Sequence, residues 1–197
     1  MSSENFGHND VISQILFTED QIDNCIFELA KMINIDYQGK NPIFIGVLKG
    51  VFIFMADLLR KIEISCDVDF LAISNYSIDA RNRGVVRLVK DLDIPIEGRH
   101  VLFIEDVIDT GLTLNYLLRN LRERLPASLE VCTLFNKPSH RLIDIPIRYK
   151  GFELPDKFIV GYGLDFNEKY RNLPYVGVIK TEVLHPVNNS FKLKQGL

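Results

Sequence analysis

The segment that most constrains this chain is residues 101–113, in which an apolar run is followed by three acids and a threonine-rich turn. The apolar residues 101–104 predict a buried strand, and Glu105 and Asp106 are expected to end it. Asp109 follows three residues later, just before a helical pattern begins. Glycine and hydroxyl residues at the start of a helix suit an anion, because free N–H groups and the helix dipole point there. The segment therefore predicts carboxylates beside a phosphate loop and indicates a sugar phosphate with a divalent metal.

Both halves of this segment also have a purely structural explanation. Asp109 or Thr110 could simply cap the following helix, since aspartate and threonine are common N-cap residues. The pair Glu105-Asp106 could be a solvated strand end. Two carboxylates at the end of a buried strand nevertheless lose hydration, which ribose hydroxyls or a magnesium ion would compensate. The pair and the loop together therefore favour a ligand site.

Strands and helices alternate through the middle of the chain. Thr18 and Gln21 form the pattern of a capping box at the start of the first helix. Apolar positions predict strands at 43–48, 68–73, 85–89, 101–104, 129–134, 158–160 and 176–179, and further helices at 51–62 and 112–125. This order is typical of an α/β fold with a parallel sheet and helices on both faces. Since ligands bind at the carboxyl ends of such strands, Lys49-Gly50 and residues 105–113 are expected to meet in one cleft.

Composition narrows the class of protein. The 197 residues suffice for one domain with a full core, and a net charge of -3 does not favour a general nucleic-acid binder. No signal peptide is visible in 1–10, and the longest apolar stretch, 43–59, is too interrupted by polar residues to span a membrane. The cysteines Cys25, Cys66 and Cys132 lie far apart in apolar surroundings, so reduced thiols in a cytoplasmic protein are expected.

The order of residues in 101–113 resembles the phosphoribosyl pyrophosphate (PRPP) motif of the type I phosphoribosyltransferases. The match consists of an apolar strand, Glu-Asp, two apolar residues, Asp-Thr-Gly and a further Thr. A Walker loop would need a Gly-Lys-Ser/Thr ending, which this segment lacks. Further motifs resemble the hypoxanthine-guanine branch of that family: GVLKG at 46–50, FNKP at 135–138, GFELPDKFIVGYGLD at 151–165 and NEKYRNL at 167–173. The resemblance covers nearly the whole chain.

The resemblance implies a type I phosphoribosyltransferase fold, with a central, mostly parallel twisted sheet, helices on both faces and a small hood subdomain. One domain would span 1–185, with the hood formed by about 1–40 and 150–185, followed by a polar tail at 186–197. The implied reaction transfers the 5-phosphoribosyl group from PRPP to N9 of hypoxanthine or guanine, giving IMP or GMP and pyrophosphate in purine salvage. Mg²⁺ is the implied cofactor. The implied partners are small-molecule substrates and further copies of the chain in a homodimer or homotetramer, with no nucleic acid and no membrane.

The resemblance also assigns roles in the sugar-phosphate site. Glu105 and Asp106 would face the ribose hydroxyls directly or through Mg²⁺, and Asp165 would be a further metal ligand. Asp109 would be the general base or acid near purine N7, because a carboxylate can take the proton that leaves the base. The 5′-phosphate would be bound by the loop residues Asp109, Thr110, Gly111, Leu112 and Thr113.

Pyrophosphate is assigned in the same way to Lys49, Gly50 and Arg171. In the family the peptide that precedes this lysine can be cis, and the sequence does not reveal the isomer here. Without the resemblance, Lys49 would be an ordinary surface lysine, and Arg171 with Asp165 an ordinary ion pair.

The purine is assigned to Lys137, Phe158, Ile159 and Asp165. The ammonium group of Lys137 only donates hydrogen bonds, so it suits a 6-oxo group and not the 6-amino group of adenine. Phe158 would stack on the ring, and backbone groups of Ile159 would contact its edge. By pattern alone both are residues of a strand core.

A polar stretch at 75–84 is expected to be a lid that closes over the reacting groups. Tyr76 matches the family pattern, whereas Asn75 stands where many relatives have serine, and early glycines are missing. Two alternatives stay open. One is a xanthine- or guanine-preferring phosphoribosyltransferase, since backbone groups would recognise the 2-position. The other is an RNA-binding regulator on the same fold, which would need a basic face with exposed aromatics and is disfavoured by the charge balance and by Lys137.

Overall fold

The computed structural model describes residues 11–75 and 86–184. Its elements in chain order are β1 Ile12–Phe17, α1 Glu19–Asp36, β2 Ile43–Leu48, α2 Phe52–Leu59, β3 Asp67–Asn75, β4 Val86–Lys90, β5 His100–Ile108, α3 Leu112–Arg122, β6 Ser128–Asn136, a 3-10 turn Pro138–His140, β7 Tyr149–Glu153, β8 Ile159–Val160, β9 Val176–Ile179 and α4 Thr181–Leu184.

A six-stranded sheet forms the centre of the fold, in the order β4-β3-β2-β5-β6-β7. Neighbouring strands are parallel, except that β4 runs antiparallel to β3. The chain proceeds from β2 outward to β3 on one side and from β5 outward to β6 on the other. The strand order therefore reverses between β2 and β5, which is the position where open α/β sheets bind their ligands.

A crevice opens at this point because the pairing of β2 with β5 stops early. The last registered pair is Gly46 with Ile104, whereas β5 stays paired with β6 as far as Ile108 with Asn136. The turn Lys49-Gly50 follows β2 at the same end of the sheet. The second half of β5 is thus left without a strand on its β2 side.

Helices cover both faces of the sheet, as the sequence predicts. Phe44 packs in the core that contains the buried residues of α1 and α2, whereas Ile43 and Ile45 pack in the core that contains those of α3. This division follows from the strand itself, since neighbouring side chains of a strand point to opposite faces. All three side chains are fully buried, and each such burial stabilises the fold by roughly 1.5–3 kcal/mol.

The first helix begins as its capping pattern predicts. Thr18 is the N-cap of α1, and its hydroxyl accepts a hydrogen bond from the Gln21 backbone N–H at 3.3 Å. The Gln21 side chain in turn accepts from the Thr18 N–H at 2.9 Å. These contacts satisfy backbone N–H groups that a helix start otherwise leaves free.

A second, three-stranded antiparallel sheet joins the two ends of the described chain in the order β1-β9-β8. Together with the central sheet it confirms the predicted fold class. The exact division into a hood of about 1–40 and 150–185 stays a prediction.

Three parts of the sequence predictions fall outside the described residues. They are residues 1–10, Tyr76 with the rest of the expected lid beyond Asn75, and the tail at 186–197. Within 11–75 and 86–184, no helix is both long and apolar enough to cross a membrane.

Candidate active site

The acid pair lies inside β5 and does not end it. The prediction that Glu105 and Asp106 close the strand is wrong, because β5 continues to Ile108. Continued pairing with β6 explains the extension, since Glu105 is in register with Thr133 and the pairing goes on to Ile108 with Asn136. Adjacent strand residues point to opposite sides, so the two carboxylates approach the site from different directions.

The loop after β5 is shaped mainly by its backbone. Gly111 is the N-cap of α3, with a left-handed φ of 82°, and the preceding Thr110 hydroxyl accepts a hydrogen bond from the Leu112 N–H at 3.4 Å. A Cβ at Gly111 would lie 3.1 Å from the Ile143 carbonyl oxygen, so glycine allows this close approach. The Leu142 N–H donates to the Thr110 carbonyl at 2.9 Å and fixes the loop from behind. The other N–H groups in the first turn of α3 remain available to an anion.

The predicted PRPP residues line one cavity of about 360 Å³ at the crevice between β2 and β5. Gly50 packs so closely against the Asp106 carboxylate that a Cβ would not fit. Leu112 is 51% exposed and does not line the cavity. The lining brings together the two segments that the sequence places at neighbouring strand ends, namely Lys49 and Gly50 from one, and Glu105, Asp106, Asp109, Thr110, Gly111 and Thr113 from the other.

The predicted purine residues line an adjoining cavity of about 230 Å³. Its walls comprise Asp106, Val107, Asp109, Lys137, Phe158, Ile159, Leu164, Asp165 and Arg171. The Phe158 ring is 45% exposed and makes an edge contact with Phe166 at a centroid distance of 5.4 Å. The Lys137 ammonium group donates to the Lys157 carbonyl at 3.0 Å, which uses one of its three N–H groups. One ring face and two N–H groups of Lys137 are thus available in this cavity.

The two cavities share Asp106, Val107 and Asp109. Asp109 therefore lies at the junction between the phosphate loop and the space around Lys137. A ligand in one cavity and a ligand in the other would meet beside its carboxylate.

Cations at the site are paired with carboxylates of one loop. The Lys49 ammonium group lies 2.9 Å from Glu168 Oε2, and Arg171 Nη2 lies 2.8 Å from Asp165 Oδ1 and 3.5 Å from the same Glu168 oxygen. The peptide between Leu48 and Lys49 is cis. Arg171 lines the second cavity, and Glu168 links it to Lys49. The lysine lowers the pKa of Glu168, whereas Asp165 is the nearer counter-charge of Arg171.

Burial makes both carboxylates of β5 reluctant to ionise. It raises the pKa of Glu105 well above its ordinary range, and the adjacent Asp106 raises it further. Burial also raises the pKa of Asp106 to about 6, even though the Val107 N–H donates to its carboxylate at 2.8 Å and opposes the shift. Two charges forced into this environment cost stability, which a bound cation or hydroxyl-rich ligand would offset.

Asp106→Asn is therefore expected to stabilise the fold at neutral pH. The folded pKa of about 6 exceeds the ordinary value of 3.8, so the ionised folded state is penalised by about 3 kcal/mol at most. The penalty is absent below about pH 4, grows as the pH rises and is complete above about pH 6. Urea unfolding of both proteins in metal-free buffer between pH 4 and 8 measures it, with Asp144→Asn at an exposed position as control. A variant that is less stable at pH 7, or whose advantage does not grow with pH, would contradict the explanation.

Several residues of the site have no role in the sequence prediction. Val107 and Leu164 contribute apolar walls, and Glu168 holds the cations. His140 and Asp156 lie next to Asp109, with His140 Nδ1 2.8 Å from Asp109 Oδ1. Val107 lies between Asp106 and Asp109 of the motif, and Asp156, Leu164 and Glu168 fall within the quoted segments 151–165 and 167–173, whereas His140 falls in none of these segments. The described residues contain no group of three histidine, cysteine or acidic side chains arranged to hold a metal.

Comparison with known proteins extends over most of the chain. Residues 16–167 match the family model of the phosphoribosyl transferase domain. A hypoxanthine-guanine phosphoribosyltransferase of Streptococcus agalactiae is 48% identical over 172 residues, which are 87% of this chain and 96% of that protein. The protein of the same name from Bacillus subtilis is 46% identical over the same shares. The crystal structure of a hypoxanthine phosphoribosyltransferase from Staphylococcus aureus superposes with a TM-score of 0.87 at 42% identity, covering 92% of this chain and 98% of that one.

Proposed function

Because the chain belongs to the hypoxanthine-guanine phosphoribosyltransferase family, we propose that it transfers the 5-phosphoribosyl group from PRPP to N9 of hypoxanthine or guanine. The products are IMP or GMP and pyrophosphate. The observation that carries this proposal is the pair of adjoining cavities with Asp109 at their junction. One is bordered by a phosphate loop, and the other offers an aromatic face and a lysine. Transfer of a sugar phosphate to a flat base needs such a pair.

The cavity at the phosphate loop is the proposed PRPP site. Backbone N–H groups at the start of α3 and the hydroxyls of Thr110 and Thr113 bind the 5′-phosphate, because all of them donate toward one anion. Glu105 and Asp106 accept hydrogen bonds from the ribose hydroxyls. Those bonds compensate the hydration that the two carboxylates lose in the fold.

Lys49, Gly50 and Arg171 form the proposed pyrophosphate site. In the free chain both cations face Glu168, which is exposed and belongs to a surface loop. A pyrophosphate anion would take the place of this carboxylate and bring more negative charge to the same cations. Gly50 admits it closely, since no side chain stands between the Lys49 turn and Asp106.

The second cavity is the proposed purine site. Phe158 stacks on the base, and the backbone of Ile159 contacts its edge. Lys137 donates to the 6-oxo group, which adenine lacks. A site built around a donor discriminates strongly against a base that offers another donor at the same position.

Asp109 is the proposed general base. The bond from the sugar carbon to pyrophosphate breaks as N9 of the purine bonds to that carbon, and the proton on the purine imidazole ring leaves. A carboxylate at the junction of the two cavities can accept that proton, and pyrophosphate departs with the bonding electrons.

Magnesium fits the oxygen donors of the site. Asp165, Glu105 and Asp106 supply carboxylates at the two cavities, and Mg²⁺ normally takes one or two such ligands and completes its shell with phosphate oxygens and water. The two shielded carboxylates of β5 would lose their mutual repulsion beside a cation. When bound, the ion would neutralise charge on the leaving pyrophosphate.

Turnover assays with PRPP, Mg²⁺ and each of hypoxanthine, guanine, xanthine and adenine test the proposal. We expect hypoxanthine and guanine to be converted. We expect kcat/KM for adenine to be at least about 100-fold lower than for either of them. A preference for xanthine would favour the alternative of a xanthine-preferring phosphoribosyltransferase. A protein that converts no purine and shifts RNA in a gel would overturn the proposal.

The cellular compartment and the oligomeric state are proposed from fewer observations. All three cysteines are unpaired, which supports a reducing compartment such as the cytoplasm. A homodimer or homotetramer stays a prediction from the resemblance.

A further inference from the structure

The imidazole of His140 bridges two carboxylates that belong to different loops. Its Nδ1 lies 2.8 Å from Asp109 Oδ1 and its Nε2 lies 2.6 Å from Asp156 Oδ1. We infer that His140 is a positioning residue, which holds Asp109 in place and ties it to the loop that carries Phe158. This inference rests on the proposed function, because it takes Asp109 as the base.

The two contacts require a particular form of the imidazole. A carboxylate only accepts hydrogen bonds, so both ring nitrogens must donate, and only the doubly protonated imidazolium has an N–H on each. The neutral ring would place a lone pair against one of the carboxylates. Hydrogen bonds to both carboxylates therefore belong to the imidazolium form of His140.

The turn that carries His140 is fixed to both loops at other points. On the side of the loop that carries Asp109, the Leu142 N–H donates to the Thr110 carbonyl at 2.9 Å. On the purine side, Lys137 donates to the Lys157 carbonyl at 3.0 Å. The segment that carries His140 therefore has little freedom to follow a displaced Asp109, and the bridge adds a third link to one backbone bond and one bond from a lysine side chain.

The charges near His140 come from three segments. The phosphate loop contributes Asp109, and the loop before β8 contributes Asp156 and Lys157. The turn that carries His140 also carries the cations Lys137 and Arg141. The Arg141 guanidinium donates to the Asn136 side chain, and the Lys157 ammonium group lies 3.4 Å from Gln14 Oε1. Both of these cations are therefore directed to other partners, and the two carboxylates remain as the direct partners of the ring.

The bridge contributes more to the orientation of Asp109 than to the stability of the fold. The His140 side chain is 35% exposed and its partners more so, and ion pairs at that exposure contribute little to folding. A carboxylate with one oxygen held by His140 has fewer orientations open to it at the junction of the cavities. Catalysis is sensitive to such placement, since a small displacement of a reacting group costs up to about 100-fold in rate.

Steady-state kinetics of His140→Ala and His140→Arg test the role. We expect the alanine variant to lower kcat for hypoxanthine about tenfold with a smaller effect on the KM for PRPP. Arginine also donates to two carboxylates, so His140→Arg should recover kcat to within about threefold of the original chain. Ser139→Ala, at an exposed neighbour in the same turn, should change neither constant. A His140→Ala kcat within twofold of the original, or an arginine variant no better than alanine, would refute the role.

A measurement without turnover tests the bridge itself. The His140 ring signal is compared by NMR, at one fixed pH, in the unmodified chain, Asp109→Asn and Asp156→Asn. Changing either carboxylate should move that signal, because each one contacts a ring nitrogen directly. An unchanged signal in both variants would mean that the bridge does not form in solution. If the unmodified chain converted no purine, the proposed function would fail while this comparison still decided whether the contact exists.

Discussion

Asp109→Asn is expected to lower kcat about 100-fold or more while the KM for PRPP stays within about threefold. Asparagine has the shape of aspartate, and its carbonyl oxygen can still accept from His140 at the position where Asp109 Oδ1 now lies. It cannot take a proton from the purine. The substitution therefore removes the proposed chemistry and leaves the phosphate loop, which is built from backbone around Gly111.

Initial rates with varied hypoxanthine and varied PRPP separate the two effects. Asp144→Asn is a matched control, because it removes the same charge from an exposed residue that lines neither cavity. If Asp109→Asn retained kcat within a few-fold, Asp109 would not be the base. If instead KM for PRPP rose with little change in kcat, the carboxylate would act in binding the sugar phosphate.

Local sequence patterns predicted the parts of the fold whose structure is determined mainly by residues that are neighbours in the sequence. Ile43–Leu48 and Val176–Ile179 were predicted with their observed bounds, since short apolar runs between turn residues have few other solutions. The capping box at Thr18 is equally local. The strand β7 was not predicted, because it is an edge strand with a polar, glycine-containing sequence. Gly151 is explained only in the fold, where a Cβ would meet the Leu134 carbonyl.

The residues of the site also divide into those that the sequence predicts and those whose placement depends on contacts in the fold. The motif around Asp109 was visible because its residues are adjacent in sequence, and the cleft with Lys49 followed from the rule about strand ends. The extension of β5 through Glu105 and Asp106 was not visible, since it depends on which neighbour continues to pair. His140 and Asp156 were missed for a related reason. They are distant from Asp109 in sequence and meet it only because two loops converge, and a single histidine carries no pattern.

Lys137→Ala is expected to lower kcat/KM for hypoxanthine about 10- to 100-fold, mostly through a higher KM. The ammonium group lines the second cavity and has two N–H groups left after its bond to the Lys157 carbonyl. A charged hydrogen bond of this kind contributes roughly 1.5–3 kcal/mol. The same change should have little effect on the KM for PRPP, because Lys137 does not line the cavity at the phosphate loop.

Lys157→Ala provides the matched control, because it removes a neighbouring lysine whose side chain points toward Gln14 and whose carbonyl is retained. The decisive quantity is the ratio of kcat/KM for hypoxanthine to that for adenine. If Lys137 selects the base by donating to the 6-oxo group, its loss should reduce this ratio, since only the preferred purine loses a partner. An unchanged ratio with a uniformly higher KM would mean that Lys137 shapes the cavity through its link to Lys157. Selectivity would then have to come from the backbone beside Ile159.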